Sequence, residues 1–173
     1  MCISVNLTWR QFNDEQFVRT VLGTLQDTGM PPGMLELEFS EQLLLQHAVR
    51  ASQILRELKR AGVRLAVDNF GASYLSLASI QKFPIDTLKV DRSLLREIDD
   101  AQSTAITDAI VAVAKSLSLT VIAEGVETIR QAAFAREHAC DAMQGFYVSE
   151  PTGPAQFAEL LRQQQRMRDG SSA

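Results

Sequence analysis

Along the 173 residues, short apolar runs alternate with longer stretches whose apolar residues recur three and four places apart. The short runs are ISVNL (3–7), LELEF (35–39), RLAVDN (64–69), TLKV (87–90), TVIAEGV (120–126) and QGFYVS (144–149), and they predict six strands. Between them, DEQFVRTVLGTLQDTG (14–29), HAVRASQILRELKRAG (47–62) and TAITDAIVAVAKSLS (104–118) carry an apolar stripe on one helical face, as helices covering a sheet do. Gly29 and Gly62 follow the last periodic residue as helix stops, and Pro154 stands at a first helical position. Strands alternating with helices imply a parallel sheet joined by right-handed crossovers, either an open doubly wound sheet or a barrel. The length suits one domain over 1–167, with 168–173 as a flexible tail.

Against this apolar background the polar residues stand out. Asn6, Glu38, Asp68, Lys89 and Glu124 sit near the C-terminal ends of their strands, and Gln144 leads the last one. A single strand-end polar group is ordinarily satisfied by a neighbouring amide. Six of them in register are different, because parallel strands gather their C-terminal ends on one edge, where barrel active sites lie. Asn6, Glu38, Asp68 and Glu124 form an oxygen donor set without histidine, which suits magnesium or manganese and not zinc. Lys89 has two readings at this point, a counter-charge for the carboxylates or a group that polarises water and stabilises phosphate charge.

Charge and composition then narrow the partners. The formal charge is −4, so the chain lacks the basic face that grips a nucleic acid polymer, although a small anion can still bind locally. Cys2 and Cys140 have no CxxC spacing and indicate neither a thiolate metal site nor a disulfide framework. No run approaches the roughly 20 apolar residues of a membrane span, and the expected location is cytoplasmic. His47 and His138 have no second histidine at i+3 or i+4 and are read as surface residues. Trp9 is equally readable as a base-stacking or a packing residue. The QQQ run with Arg162, Arg166 and Arg168 reads as a solvated helix face.

The ordered runs SVNL, ELEFSEQ, AVDNFGASYLSL, FPIDTLKVDRSLL, VIAEGVET and QGFYVSEP resemble the EAL family of bacterial cyclic-di-GMP phosphodiesterases over nearly the whole chain. The resemblance implies a variant TIM-type (β/α) barrel. It implies metal-ligand positions at Asn6, Glu38 and Asp68, the catalytic lysine at Lys89, and Glu124 and Gln144 where the family arranges a second metal and its water. Glu41 matches the acid that braces the loop after AVDNFG, Glu127 the second acid of VIAEGVE, and Asp91 an acid near the substrate. The implied partners are cyclic-di-GMP and Mg2+ or Mn2+.

Departures from the pattern shape the expected function. The family's naming strand, Glu-Ala-Leu followed by an arginine, should precede SVNL, yet Ile3 lies two residues after Met1. The expectation is therefore an incomplete barrel of about six of eight strands, lacking a metal-ligand glutamate and a substrate-binding arginine. Asn69 replaces the second aspartate of DDFG, exchanging an anionic oxygen at a metal position for an amide carbonyl. Ser73 replaces a loop glycine. The sequence thus leans to a nucleotide-binding or protein-interaction module with impaired catalysis. The alternative is a metal-dependent phosphodiesterase opening cyclic-di-GMP to pGpG when the missing part is supplied. The strands ISVNL and QGFYVS would be left as edges, predicting a homo-oligomer or a partner chain that covers them. The resemblance also implies a dimer route through helices near the AVDNFGASYLSL loop.

Overall fold

The structure, a computed structural model, describes residues 2–71 and 80–170. Ser73 and the rest of the segment 72–79 lie outside the described residues. The chain alternates as the pattern requires: β1 Ile3–Asn6, α1 Trp9–Phe12, α2 Phe17–Thr28, β2 Leu35–Ser40, α3 Glu41–Gln46, α4 Ala48–Arg60, β3 Arg64–Phe70, β4 Thr87–Val90, α5 Arg92–Arg96, α6 Ala101–Ser116, β5 Thr120–Glu124, α7 Ile129–Glu137, β6 Ala142–Gln144 and α8 Pro154–Gly170. The six strands are parallel and pair in chain order, β1 to β6. Among the described residues β1 and β6 do not pair with each other, so the sheet is an open, incomplete barrel.

Period-two alternation divides each strand between two environments. Leu37, Phe39, Leu65, Val67, Leu88, Val90 and Val121 are buried in one core with Leu25, Leu55, Leu58 and Ile110 from the helices. Each such side chain contributes about 1.5–3 kcal/mol on burial. The intervening residues of β2 and β4 are polar and equally buried: Glu36, Glu38, Thr87 and Lys89. Near the start of the strands the Glu36 carboxylate accepts hydrogen bonds from Ser4 Oγ at 3.0 Å and Thr87 Oγ1 at 2.7 Å, with Arg64 Nε at 3.4 Å. That carboxylate is satisfied, as a buried one must be.

Two aspartates set the strand registers from the same end. Asp86 Oδ2 accepts from Leu65 N at 3.0 Å while Asp86 N donates to Leu65 O at 2.8 Å, and Lys59 pairs with the same carboxylate. Asp141 repeats the clasp on Val121, at 2.7 and 2.8 Å, with Lys115 as its cation. Lys115 and then the Val121 amide hold the Asp141 carboxyl below the usual range.

Four sheet-covering helices stop in the same way: a left-handed residue follows the last turn, and the next amide bonds back five residues. The left-handed residues are Gly29, Gly62, Ser118 and Ala139. The closing bonds are Met30 N to Leu25 O, Val63 N to Leu58 O, Leu119 N to Ala114 O and Cys140 N to Ala135 O, all between 2.9 and 3.2 Å. The first two confirm the stops expected from glycine; the last two use residues with a Cβ.

The last strand differs from the sequence expectation. QGFYVS is not a strand over 144–149; β6 ends at Gln144 and the chain turns. Gly145 lies against Val126, where a Cβ would stand 2.2 Å from Val126 O. Tyr147 N then donates to Val126 O, and Val148 N and Ser149 N fold back onto Gly145 O. This close crossing takes the amides that would have continued the ladder. Phe146 and Val148 are left exposed. At the other end of the sheet, Ile3 and Val5 of β1 are also exposed, at 48% and 41%. No helix among the described residues is long and apolar enough to cross a membrane.

Candidate functional site

Strand register brings the polar residues together. Asn6 is paired with Glu38 across β1 and β2, and Glu124 with Gln144 across β5 and β6. Lys89 lies on β4 between them. Asp68 needs an extra device. Between β3 and β4 the register slips, with Val67 opposite Leu88 but Phe70 opposite Val90. The extra residue bulges β3 at Asp68 and Asn69, and Asn69 takes a left-handed φ of 56° that asparagine tolerates well. The bulge re-aims both side chains into the C-terminal edge.

The result is a cleft of about 340 Å³ walled by Asn6, Glu38, Asp68, Asn69, Lys89 and Glu124, with Glu127 and Gln144 at its margin. At its base Lys89 Nζ stands 2.6 Å from Glu124 Oε1, 2.8 Å from Glu38 Oε2 and 3.6 Å from Asp68 Oδ1. Burial pulls the ammonium pKa down, but hydrogen bonds and charge from Glu124 and Glu38 together outweigh it, so the lysine is held charged above its ordinary value. Burial first, and then hydrogen bonding with Asp68, push the Glu124 carboxyl up to about 7, against the opposing pull of Lys89. Of the two readings of Lys89, the counter-charge role is visible directly in these distances. The second role is compatible with it, because the same ammonium faces the cleft.

The donor chemistry fits a hard divalent cation. Asp68 Oδ1 is buried and has no hydrogen-bond partner, with the Lys89 ammonium 3.6 Å away. Asn6, Glu38, Asp68 and Glu124 add amide and carboxylate oxygens of the kind magnesium and manganese prefer. As the side chains stand, among the described residues no three His, Cys, Asp or Glu are placed so that they could hold a metal ion. The positive charge facing these carboxylates is the Lys89 ammonium. The Asn69 amide donates to Asp68 Oδ2 at 2.9 Å, a bond that an aspartate there would not make.

The supporting residues separate. Glu41 is buried at the start of α3 and accepts from Gly71 N at 3.4 Å, holding the end of AVDNFG from below. Asp91 is buried, and its Oδ1 accepts from Ser93 N at 2.8 Å as the cap of α5; it is not part of the cleft wall. Trp9 stacks on His47 with centroids 3.6 Å apart, and His138 pairs with Asp108, so all three serve packing between elements. Sequence reasoning passed over Arg92, Gly125 and Phe146, which also line the cleft. The signal for Arg92 was its place directly after Asp91 in KVDR; Phe146 was concealed inside the expected strand.

Comparison with known proteins agrees with the fold. A family model described as EAL domain matches residues 1–151. A cyclic di-GMP phosphodiesterase of Pseudomonas aeruginosa, NbdA, is 38% identical over 161 residues, which cover 92% of this chain and 21% of that protein. The EAL domain of Mycobacterium smegmatis DcpA superposes with a TM-score of 0.88 at 33% identity, covering 94% of this chain and 74% of the other. A manganese and cyclic-di-GMP complex of Klebsiella pneumoniae BlrP1 gives a TM-score of 0.78 at 29% identity, covering 84% and 38%. The chain spans about a fifth of the length of the curated relatives it matches.

Proposed function

This chain belongs to the EAL domain family, and we propose that it is a cytoplasmic cyclic-di-GMP signalling segment that binds the nucleotide together with Mg2+ or Mn2+ and turns it over poorly. One observation carries the reading: six polar residues from six strands, Asn6, Glu38, Asp68, Lys89, Glu124 and Gln144, converge on one cleft at the C-terminal edge of the sheet.

In this reading Asn6, Glu38, Asp68 and Glu124 hold the cation, with Asn69 and Gln144 at a second, weaker position. A bound divalent cation supplies Lewis-acid polarisation and neutralises phosphate charge. The protein's own groups do the rest. Lys89, fixed by Glu38 and Glu124, presents an ammonium to a phosphoryl oxygen; Glu124, with its raised pKa, can carry a proton near neutral pH. Glu41 keeps the end of β3 in place, Asp91 caps α5 directly after β4, and Glu127 contributes a rim carboxylate. Impairment rests on Asn69: its neutral amide donates toward Asp68 where an anionic oxygen would bind a second cation more strongly.

The second reading is a working metal-dependent phosphodiesterase giving pGpG. The Lys89–Glu124 pair inside the cleft favours it, since an ammonium and a proton carrier are both at hand. Calorimetric titration of cyclic-di-GMP with Mg2+, Mn2+ or Ca2+, followed by a product assay on the same sample, separates the two. The first reading expects cation-dependent binding with no pGpG above background. Absence of binding with every cation overturns it, and metal-dependent pGpG that disappears in Lys89→Ala establishes the second.

A further inference from the structure

The cleft has an unbalanced charge. Glu38, Asp68, Glu124 and Glu127 face it with carboxylates, while Lys89 and Arg92 are its only cations among the described residues. Lys89 is committed to Glu38 and Glu124 at under 3 Å. A bound divalent cation and Lys89 are already shared with the carboxylates, so a ligand with two phosphodiester anions entering here gains from a further cation that is not.

Arg92 is such a cation. It is exposed, it lines the cleft, and it makes no hydrogen bond or ion pair among the described residues. Among the described residues no other arginine lines the cleft. The position of Arg92 is also fixed. Its stem crosses the chain just after β5, where Gly125 has φ +65°; a Cβ on Gly125 would stand 2.5 Å from Arg92 Cβ and 3.5 Å from its Cδ. The side chain therefore lies close over a bare stretch of backbone, which lowers the entropy lost when its head is immobilised. A guanidinium offers a planar fork of donors that matches two phosphate oxygens, and it is more weakly hydrated than an ammonium.

We propose that Arg92 is an anion-binding residue of this cleft, receiving a phosphodiester group of the bound nucleotide while Gly125 keeps its stem in place. The inference rests on the cyclic-di-GMP reading above and adds a residue to it.

The test is calorimetric titration of cyclic-di-GMP, in Ca2+, into the wild-type chain, Arg92→Ala and Arg92→Lys, with Mn2+ binding and thermal unfolding measured alongside. Arg92→Ala should weaken nucleotide binding about 10- to 100-fold, the range of one charge-assisted hydrogen-bonded contact. Arg92→Lys should recover part of the loss. Mn2+ affinity and Tm should not move, because Arg92 touches no carboxylate of the metal set. If wild type binds and Arg92→Ala binds equally well, Arg92 is a solvated surface residue and the inference falls alone. If Arg92→Ala also loses Mn2+ affinity or Tm, the effect is structural and the inference falls likewise. If wild type does not bind the nucleotide at all, the functional reading fails and takes this inference with it.

Discussion

Replacing Lys89 by methionine keeps an unbranched side chain one heavy atom shorter and removes one charge from the most buried part of the site. Lys89 is 3% exposed and holds carboxylates at 2.6, 2.8 and 3.6 Å. At an effective dielectric near 20 each contact is worth on the order of 5 kcal/mol in gross Coulomb energy. Desolvation of the ammonium and repulsion among the three carboxylates take back most of that, and deleting one partner of a buried pair costs about 3–5 kcal/mol. We therefore expect Lys89→Met to lose about that much at pH 8.

The pH dependence follows from two shifts of the same sign. Lys89, raised above 10.5, contributes stability that is complete below its unfolded pKa and disappears only as pH climbs through its higher folded value, so neutral assays read it in full. Glu124, raised from 4.5 to about 7, is disfavoured as a charged group in the fold: its penalty is absent below about 4.5, grows toward 7 and is constant above. Without Lys89 the pull that lowers Glu124 is gone, and its penalty grows further. Near pH 5 Glu124 is protonated with or without the lysine, so the loss in Lys89→Met should shrink there by at least about 1 kcal/mol. Urea unfolding of both proteins in chelator at pH 5 and pH 8 measures this directly. A loss below about 1 kcal/mol at pH 8, or an equal loss at both pH values, refutes the claim that the ammonium balances this carboxylate cluster.

Three further outcomes are expected. Asn69→Asp should lower Tm in chelator, since it sets a second carboxylate beside Asp68 in place of a donor at 2.9 Å, and should bind Mn2+ about tenfold more tightly by calorimetry; unchanged affinity would clear Asn69 of the impairment. Ser118→Gly and Ala139→Gly should each stabilise by about 0.5–1 kcal/mol in urea unfolding, because both hold a Cβ at positive φ, 59° and 56°; a loss in both would show that the left-handed strain is relieved locally. The open edge of β1, with Ile3 and Val5 exposed, should make these 173 residues associate in light scattering, and Val5→Lys should shift them toward a single chain; a wild type that stays a single chain at tens of micromolar would count against that edge as a contact surface.

How far the sequence alone reaches depends on whether a feature is local. The six strands and the convergence of Asn6, Glu38, Asp68, Lys89 and Glu124 were legible because apolar runs and parallel topology are properties of the pattern, and topology alone brings strand ends together. The helix stops at Gly29 and Gly62 were legible because glycine announces them. The equivalent stops at Ser118 and Ala139 were not, since there the conformation is imposed by the closing bonds Leu119 N to Ala114 O and Cys140 N to Ala135 O, and no residue type signals them. The end of β6 was misplaced for a similar reason: GFYVS has strand-favouring residues, but Gly145 packs on the Val126 backbone, a contact between segments that no window of sequence contains.

The bulge in β3 shows the same limit inside the site. An undistorted ladder would continue Val67 opposite Leu88 through Asp68 opposite Lys89, and would alternate Asp68 and Asn69 between the two faces of the sheet. The observed slip to Phe70 opposite Val90 inserts one residue, so that both Asp68 and Asn69 reach the cleft while Val67 and Phe70 remain in the core. A carboxylate at the end of an apolar strand is thus explained by two things at once, the bulge that turns it toward the edge and the ammonium of Lys89 that meets it there. The first depends on pairing with β4 and the second on a residue 21 positions away. The sequence could name the acid and offer Lys89 as a counter-charge; the orientation that brings the two together had to come from the fold.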